Sequence, residues 1–292
     1  MTGLASLLRR SEPARGLILL SPAMIVMTAA LAAPLALLAL YSFWTQDGFA
    51  LDTHFTLARY ADSFGRETYR LLFYRSLWIS SLVTVAAVGL AYPMAYFVAF
   101  RVQRAKFVWL TLLTIPFWTS YLLRVFAWKI ILGYNGVINS GLMELGLIHQ
   151  PLEFLLYNTT AVVVTLAHAW AAFAILPIYV SLEKIDRSLL EAAADLGDGP
   201  VRRFFRVTLP LSLPGVLGAA VLIFVPTTGD YVTPSLVGGT GGVMIANVID
   251  VQFSKIGNWP LGAALAIASM AAVGIVTVLS VQAIRLSVAR IK

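Results

Sequence analysis

Cysteine is absent from the 292 residues, which removes disulfides, thiolate-held zinc and iron–sulfur clusters from consideration. Histidine is nearly absent, and His54, His149 and His168 lie too far apart in sequence to form a metal motif. Charge is scarce: 12% of residues are charged against 59% hydrophobic, a balance foreign to ordinary soluble domains. No Gly-x-x-x-x-Gly-Lys-Ser/Thr phosphate loop occurs, and the Gly238–Gly242 cluster lacks the lysine such a loop needs. Acid dyads, histidine clusters and Ser/His sets at one depth are missing too, which argues against an intramembrane enzyme.

Long apolar runs are what the chain has instead. About 20 residues at 1.5 Å each cross a bilayer, and six uncharged segments meet or approach that length: 16–43, 77–100, 107–123, 154–182, 211–229 and 261–284. A seventh run, 231–249, is also uncharged but carries Pro234 and the glycine cluster. Glycine at that density does not hold a lipid-facing helix, and irregular backbone in hydrocarbon leaves amides unpaired. That run is expected to be an extracytoplasmic or re-entrant loop packed on protein. The first run follows Arg9, Arg10 and Arg15 and is too long for a cleaved signal peptide, so it reads as an uncleaved first span.

Charge placement supports six spans with both termini in the cytoplasm. On that topology the inner segments hold fourteen of the 21 Lys and Arg against six acids, and the outer segments hold seven against eight. The net +7 thus divides into +8 inside and −1 outside, the bias that orients membrane proteins during insertion. Orientation accounts for the basic balance better than nucleic-acid binding does.

Between the fourth and fifth runs lies a polar island, residues 183–210, on the cytoplasmic side. Ser188-Leu189-Leu190-Glu191 has the spacing of a capping box, so a helix is expected from about Leu189. Gly197 suits the left-handed conformation that ends helices, and Pro200 suits the first turn of a second. Val201, Phe204 and Phe205 give the second helix an apolar stripe, with Arg202, Arg203 and Arg206 facing water or headgroups. Leu209-Pro210 then precedes the next span. The expected product is a helix-turn-helix knob.

The island's pattern is Glu191-Ala192-Ala193, three residues, Gly197, nine residues, then Val207-x-Leu209-Pro210. It resembles the loop by which permease subunits of bacterial ABC importers dock onto their ATPase. Narrower segments are Pro116-Phe117-Trp118-Thr119 followed by Leu122 and Arg124, the Asn247-Val248-Ile249 and Gln252-Phe253 pairings, and Asn258-Trp259-Pro260-Leu261-Gly262-Ala263-Ala264. These look like spermidine/putrescine permeases of the PotB type, over nearly the whole chain. The resemblance implies an all-α integral inner-membrane protein with six transmembrane helices and a cytoplasmic docking loop, the type I ABC importer permease fold. It implies as partners an ATPase dimer that holds the ATP and Mg2+, a second permease, an extracytoplasmic solute-binding protein and membrane lipid. It implies docking through Glu191, Ala192, Ala193, Gly197, Leu209 and Pro210, with Glu191 either capping its own helix or pairing with the ATPase. The implied solute is a polyamine or a related small cation, with opines and amino-acid derivatives the alternative. A self-sufficient secondary transporter, which favours buried ionisable groups and internal repeats, fits less well.

A cation in transit needs carboxylates or ring faces in place of its water. Asp230 is the acid at the edge of a span, beside Tyr231 and after Pro226. Trp118, Tyr121 and Trp128 offer rings near the outer end of the third span, or else form the interfacial aromatic belt. Arg124 would repel a polycation and is a possible ion-pair partner of Asp230. His168, inside the fourth span, is expected to be an interhelical hydrogen bonder.

Overall fold

The computed structural model describes residues 12–289 apart from 49 and 156. Its elements are helices with one short hairpin. Helix α1 (Glu12–Ser42) leads to strands β1 (Thr45–Asp47) and β2 (Ala50–Asp52), which pair antiparallel with Gln46 opposite Leu51. Next come α2 (Ala58–Gly65), α3 (Glu67–Phe100), α4 (Lys106–Thr114), α5 (Tyr121–Leu132), α6 (Val137–Glu144) and α7 (Thr159–Glu183). The remainder is α8 (Arg187–Asp195), α9 (Pro200–Arg203), α10 (Leu209–Thr228), α11 (Val232–Val237), α12 (Ile245–Val251) and α13 (Trp259–Ala289). Six helical stretches among the described residues are long and apolar enough to cross a membrane.

The core is the interface of α3, α7 and α10. Ile79, Val83, Leu166, Ile175, Ile178 and Ile223 are fully or almost fully buried there. Ala87, Ala91 and Ala95 recur every fourth residue along one face of α3 and are also buried. Lipid tails are as apolar as leucine, so such small residues, which let backbones approach, hold helices together where hydrophobicity cannot. Gly215 carries this furthest: a Cβ there would fall on the Pro177 carbonyl oxygen and the Ser181 side chain of α7. Helices α1 and α13 pack together at the periphery, and most described side chains of α1 are exposed, as lipid-facing ones are. Gly262 meets the Phe253 ring, and Ala263 and Ala264 beside it are fully buried, so this small-residue cluster is a packing seam.

Three expected boundaries shift, each for a local reason. The second span begins at Glu67, ten residues before the uncharged run, because Arg70 and Arg75 sit within helix rather than ending it. The fourth begins at Thr159 instead of 154, because the Asn158 side chain accepts from the Ala161 amide and caps the helix there. The third, expected over 107–123, is interrupted: Lys106–Trp118 is a shorter apolar helix, and the stretch long and apolar enough to cross lies further on, Tyr121–Glu144. Pro116 has no amide to donate, Ile115–Trp118 tightens into a 3-10 turn, and Thr119 and Ser120 are extended before α5 starts.

The seventh apolar run is not a span. It forms α11 and α12, joined by a tight turn through Gly238–Gly242. Gly239 is left-handed at φ +55°, and a Cβ on it would strike the Tyr157 backbone. Thr233, Pro234, Val237, Met244 and Ile245 are buried, so the loop packs on protein as expected.

Candidate functional site

Two regions carry the candidate residues: the polar knob and a cavity beside the broken third crossing.

In the knob, α8 starts two residues earlier than the Ser-x-x-Glu spacing suggests. Asp186 is the cap, its Oδ1 accepting from the Ser188 amide at 3.0 Å. Aspartate caps as well as serine and lies closer to the free amides. Ser188 and Glu191 therefore fall inside the helix, where the carboxylate is too far along to reach back. The expected capping box does not form. That hydrogen bond from the Ser188 amide also holds the Asp186 carboxyl below the usual carboxylate range. Glu191 and Ala192 are exposed, whereas Ala193 is 8% exposed and faces inward.

Helix α8 ends as the glycine predicts. Gly197 adopts φ +85°, its amide donates to the Ala194 carbonyl at 2.9 Å, and the Asp198 amide donates to that of Ala193 at 3.0 Å. These two bonds are the Schellman pair, which satisfies carbonyls the helix leaves open. Asp198 then accepts from Arg202 Nε at 3.1 Å and from Arg206 at 3.2 Å. Arg203 donates to the Leu190 carbonyl across the turn. The arginines thus brace the knob as well as facing water.

The expected apolar stripe divides. Phe204 packs on Tyr92 and Tyr96 of α3, at ring separations of 5.6 and 6.3 Å. Val201 and Phe205 stay exposed, as do Leu189 and Leu196. The knob joins the fifth span without a break: Phe204–Thr208 is a π segment that runs directly into α10, with Pro210 near the start of that helix. The second half of the knob is therefore continuous with α10.

The cavity has a volume of about 400 Å³. Phe117, Thr119, Tyr121 and Arg124 line it from the break between α4 and α5, Trp170 and Phe173 from α7, and Pro226 and Asp230 from the end of α10. Backbone that is not helical is tolerated at membrane depth where it is buried in protein or lines a cavity, and this break does so. Arg124 answers two carbonyls of the break, donating to Phe117 at 3.2 Å and Thr119 at 3.0 Å, and ties the break to α7 by donating to Ala169 at 3.0 Å. Its guanidinium also lies over the Phe117 ring.

Asp230 is 8% exposed. Its Oδ1 accepts from the amides of Val232 and Thr233 at 2.9 and 3.3 Å, and its Oδ2 accepts from the Tyr121 hydroxyl. The Tyr121 hydroxyl also meets Thr233 Oγ1 at 2.6 Å. The ion pair considered between Arg124 and Asp230 does not form: the guanidinium is turned to backbone carbonyls, and the carboxylate is met by neutral donors. Trp128 lies apart from the cavity, donating from Nε1 to His168 Nδ1 at 3.1 Å, which bears out His168 as an interhelical hydrogen bonder. Trp118 is 83% exposed and Tyr231 45%, and neither lines the cavity. Sequence reasoning missed Trp170 and Phe173, whose apolar helix carries no local mark of a cavity.

Comparison with known proteins agrees with this architecture. The family model described as "Binding-protein-dependent transport system inner membrane component" matches residues 15–289. The spermidine/putrescine transport system permease protein PotB of Escherichia coli K12 is 35% identical over 246 residues, covering 84% of this chain and 89% of that protein. Among solved structures, a bacterial ABC transporter that imports alginate superposes with a TM-score of 0.70 at 16% identity, over 97% of this chain and 98% of that one. The same kind of transporter bound to its pentasaccharide-loaded periplasmic protein gives 0.71 at 15% identity, over 93% of each chain. The fold is that of a type I ABC importer permease, and the protein is a transporter subunit of the inner membrane, not an enzyme. The chain belongs to the binding-protein-dependent transport system inner membrane component family.

Proposed function

We propose that this permease docks on an ATPase dimer through residues 187–206 and imports a small cationic solute of the polyamine class. The observation that carries the reading is the knob's construction. A left-handed glycine fixes its turn, an acid clamped by two arginines stiffens it, and exposed Leu196, Val201 and Phe205 offer a partner apolar contact. Apolar side chains exposed in water around a rigid turn suit a docking surface. Glu191, Ala192 and Gly197 are exposed on the knob, and Leu209 and Pro210 form its junction with α10. ATP and Mg2+ belong to the partner subunits, whose closure pushes the knob and, through the π segment, α10.

A second permease covers the exposed side of α7 at His168, since a polar ring half-way along a span is ill placed in lipid. An extracytoplasmic binding protein delivers the solute, and both termini lie in the cytoplasm. The cation finds the Asp230 carboxylate, with Tyr121 beside it, as the nearest anionic group in the cavity. Purification of the tagged chain from its own membranes should recover an ATPase and a second permease. Liposomes holding that complex should take up putrescine or spermidine only with ATP inside and the binding protein outside. Uptake by this chain alone without ATP would overturn the importer reading.

A further inference from the structure

The end of α3 and the knob enclose a separate cavity of about 350 Å³. Arg101, the residue after α3, Arg187 at the start of α8 and Arg203 at the end of α9 all line it, with Glu191 the acid in the wall. Tyr96, Phe100 and Phe204 form its aromatic side, Tyr96 lying 4.8 Å from Phe100 and 6.3 Å from Phe204. Arg203 donates to the Leu190 carbonyl. Arg101 and Arg187 are exposed, and among the described residues neither side chain has a hydrogen bond or an ion pair. Arginine does not lose its proton in a protein, so these cations repel one another across one small space. Basic residues that served orientation alone would need no common cavity. These three come from three elements far apart in sequence, and the fold gathers them around one.

We infer that this cavity binds a phosphate group at the inner face of the membrane, carried by an anionic phospholipid or by free phosphate. The inference rests on the importer reading only for the side on which the cavity opens. Guanidinium groups match phosphate oxygens with paired N–H donors, and Arg101 and Arg187 have all of theirs to give. Tyr96 and Phe100 belong to the span, so the cavity lies where α3 leaves the bilayer, at the depth of the headgroups. Leu196, Val201 and Phe205, the apolar side chains that suit an ATPase, do not line it. A phosphate held between Arg101 and Arg187 would tie the end of the second span to the first helix of the knob.

The test is calorimetric titration of the full-length chain, purified with its copurifying subunits in non-ionic detergent and phosphate-free buffer. The probes are dihexanoyl phosphatidylglycerol, dihexanoyl phosphatidylcholine and inorganic phosphate. Saturable binding of phosphatidylglycerol without phosphate binding assigns the site to the leaflet, and the reverse assigns it to the free ion. Arg101→Gln combined with Arg187→Gln removes two headgroup-level charges and should weaken that binding about thirtyfold, a 2 kcal/mol change. Arg101→Lys combined with Arg187→Lys should recover most of it, and serves as the comparison if the glutamine pair is poorly made. No saturable binding of phosphatidylglycerol or phosphate, or binding that the glutamine pair leaves unchanged, would overturn the inference. Equal binding of the two lipids without binding of phosphate would overturn it too, as contact with apolar surface alone. Loss of a copurifying ATPase from the glutamine pair, with phosphate and lipid binding unchanged, would give the cavity to an acidic group of that partner instead. The titration reads the permease itself, so a wild type that brings down no ATPase would sink the importer reading and leave the phosphate result standing.

Discussion

Two single residues set the knob, and each makes a separable prediction. Gly197 sits at φ +85°, where a non-glycine residue costs roughly 1–3 kcal/mol and proline, locked near −65°, does not fit at all. Gly197→Pro should abolish uptake while leaving membrane insertion intact, and Gly197→Asn, which tolerates the left-handed region, should keep most of it. Normal transport by a well-expressed proline variant would remove the turn from the docking mechanism. Asp186 makes the second case. Its folded pKa is depressed by the Ser188 amide, so the cap's contribution is fully present above the ordinary carboxylate range. It is lost as pH falls through the depressed value. Protection of the Ser188 amide, corrected for intrinsic exchange, should therefore drop on acidification in the wild type. It should stay level in Asp186→Asn, which caps without titrating. Equal pH dependence in both proteins would place the cap elsewhere.

Elements were legible where composition alone decides them and not where hydrogen bonding does. A run of apolar residues is visible whatever its neighbours do, so α1, α7, α10 and α13 fall close to where hydropathy puts them. The start of α8 turns on which of two capping residues reaches the amides first, and spacing alone favoured Ser188 over Asp186. The continuity of α9 into α10 was hidden for a related reason. The residues Phe204–Thr208 join the two as a π segment, which no local spacing in the sequence marks. The cavity was half legible. Asp230 and Tyr121 could be named from type and position, but their contact joins residues 109 apart, and no local pattern announces it. Gly215 shows the same limit. Its sequence context is an ordinary apolar helix, and only the crossing of α10 on α7 makes it irreplaceable. A methyl group there meets a backbone carbonyl, which cannot move aside as a side-chain tip can. Gly215→Ala should destabilise the detergent-solubilised protein by about 1–3 kcal/mol, read as a lowered midpoint of thermal unfolding. Gly218→Ala, whose added carbon meets nothing within 4 Å, is the control and should not lower it. Equal midpoints for the two variants would show that α7 and α10 are not in contact at that point.

At the scale of the whole molecule, the proposed orientation rests on charge. An inner surface of +8 against an outer one of −1 is the asymmetry that retains basic segments in the cytoplasm. In the proposed topology six crossings put α8 on the same side as both termini, where an ATPase is accessible. A seventh crossing would put the final arginines outside; α11 and α12, at six and seven residues, are too short to provide it. The absence of cysteine makes this directly measurable, because every introduced thiol is the only one in the chain. Leu196 is 87% exposed at the turn of the knob, and Leu147 is 67% exposed between α6 and α7. In cells with a permeabilised outer membrane, Leu147→Cys should react with a membrane-impermeant maleimide. Leu196→Cys should react only in inverted vesicles. The two positions are separated in sequence by one crossing, α7, so an odd number of spans between them requires opposite behaviour. Labelling of both from outside would mean that α7 does not cross, and reversal of the pair would put the knob in the periplasm. Either result would separate it from any source of ATP, and the docking mechanism would fall even though every local feature of the knob remained as it is.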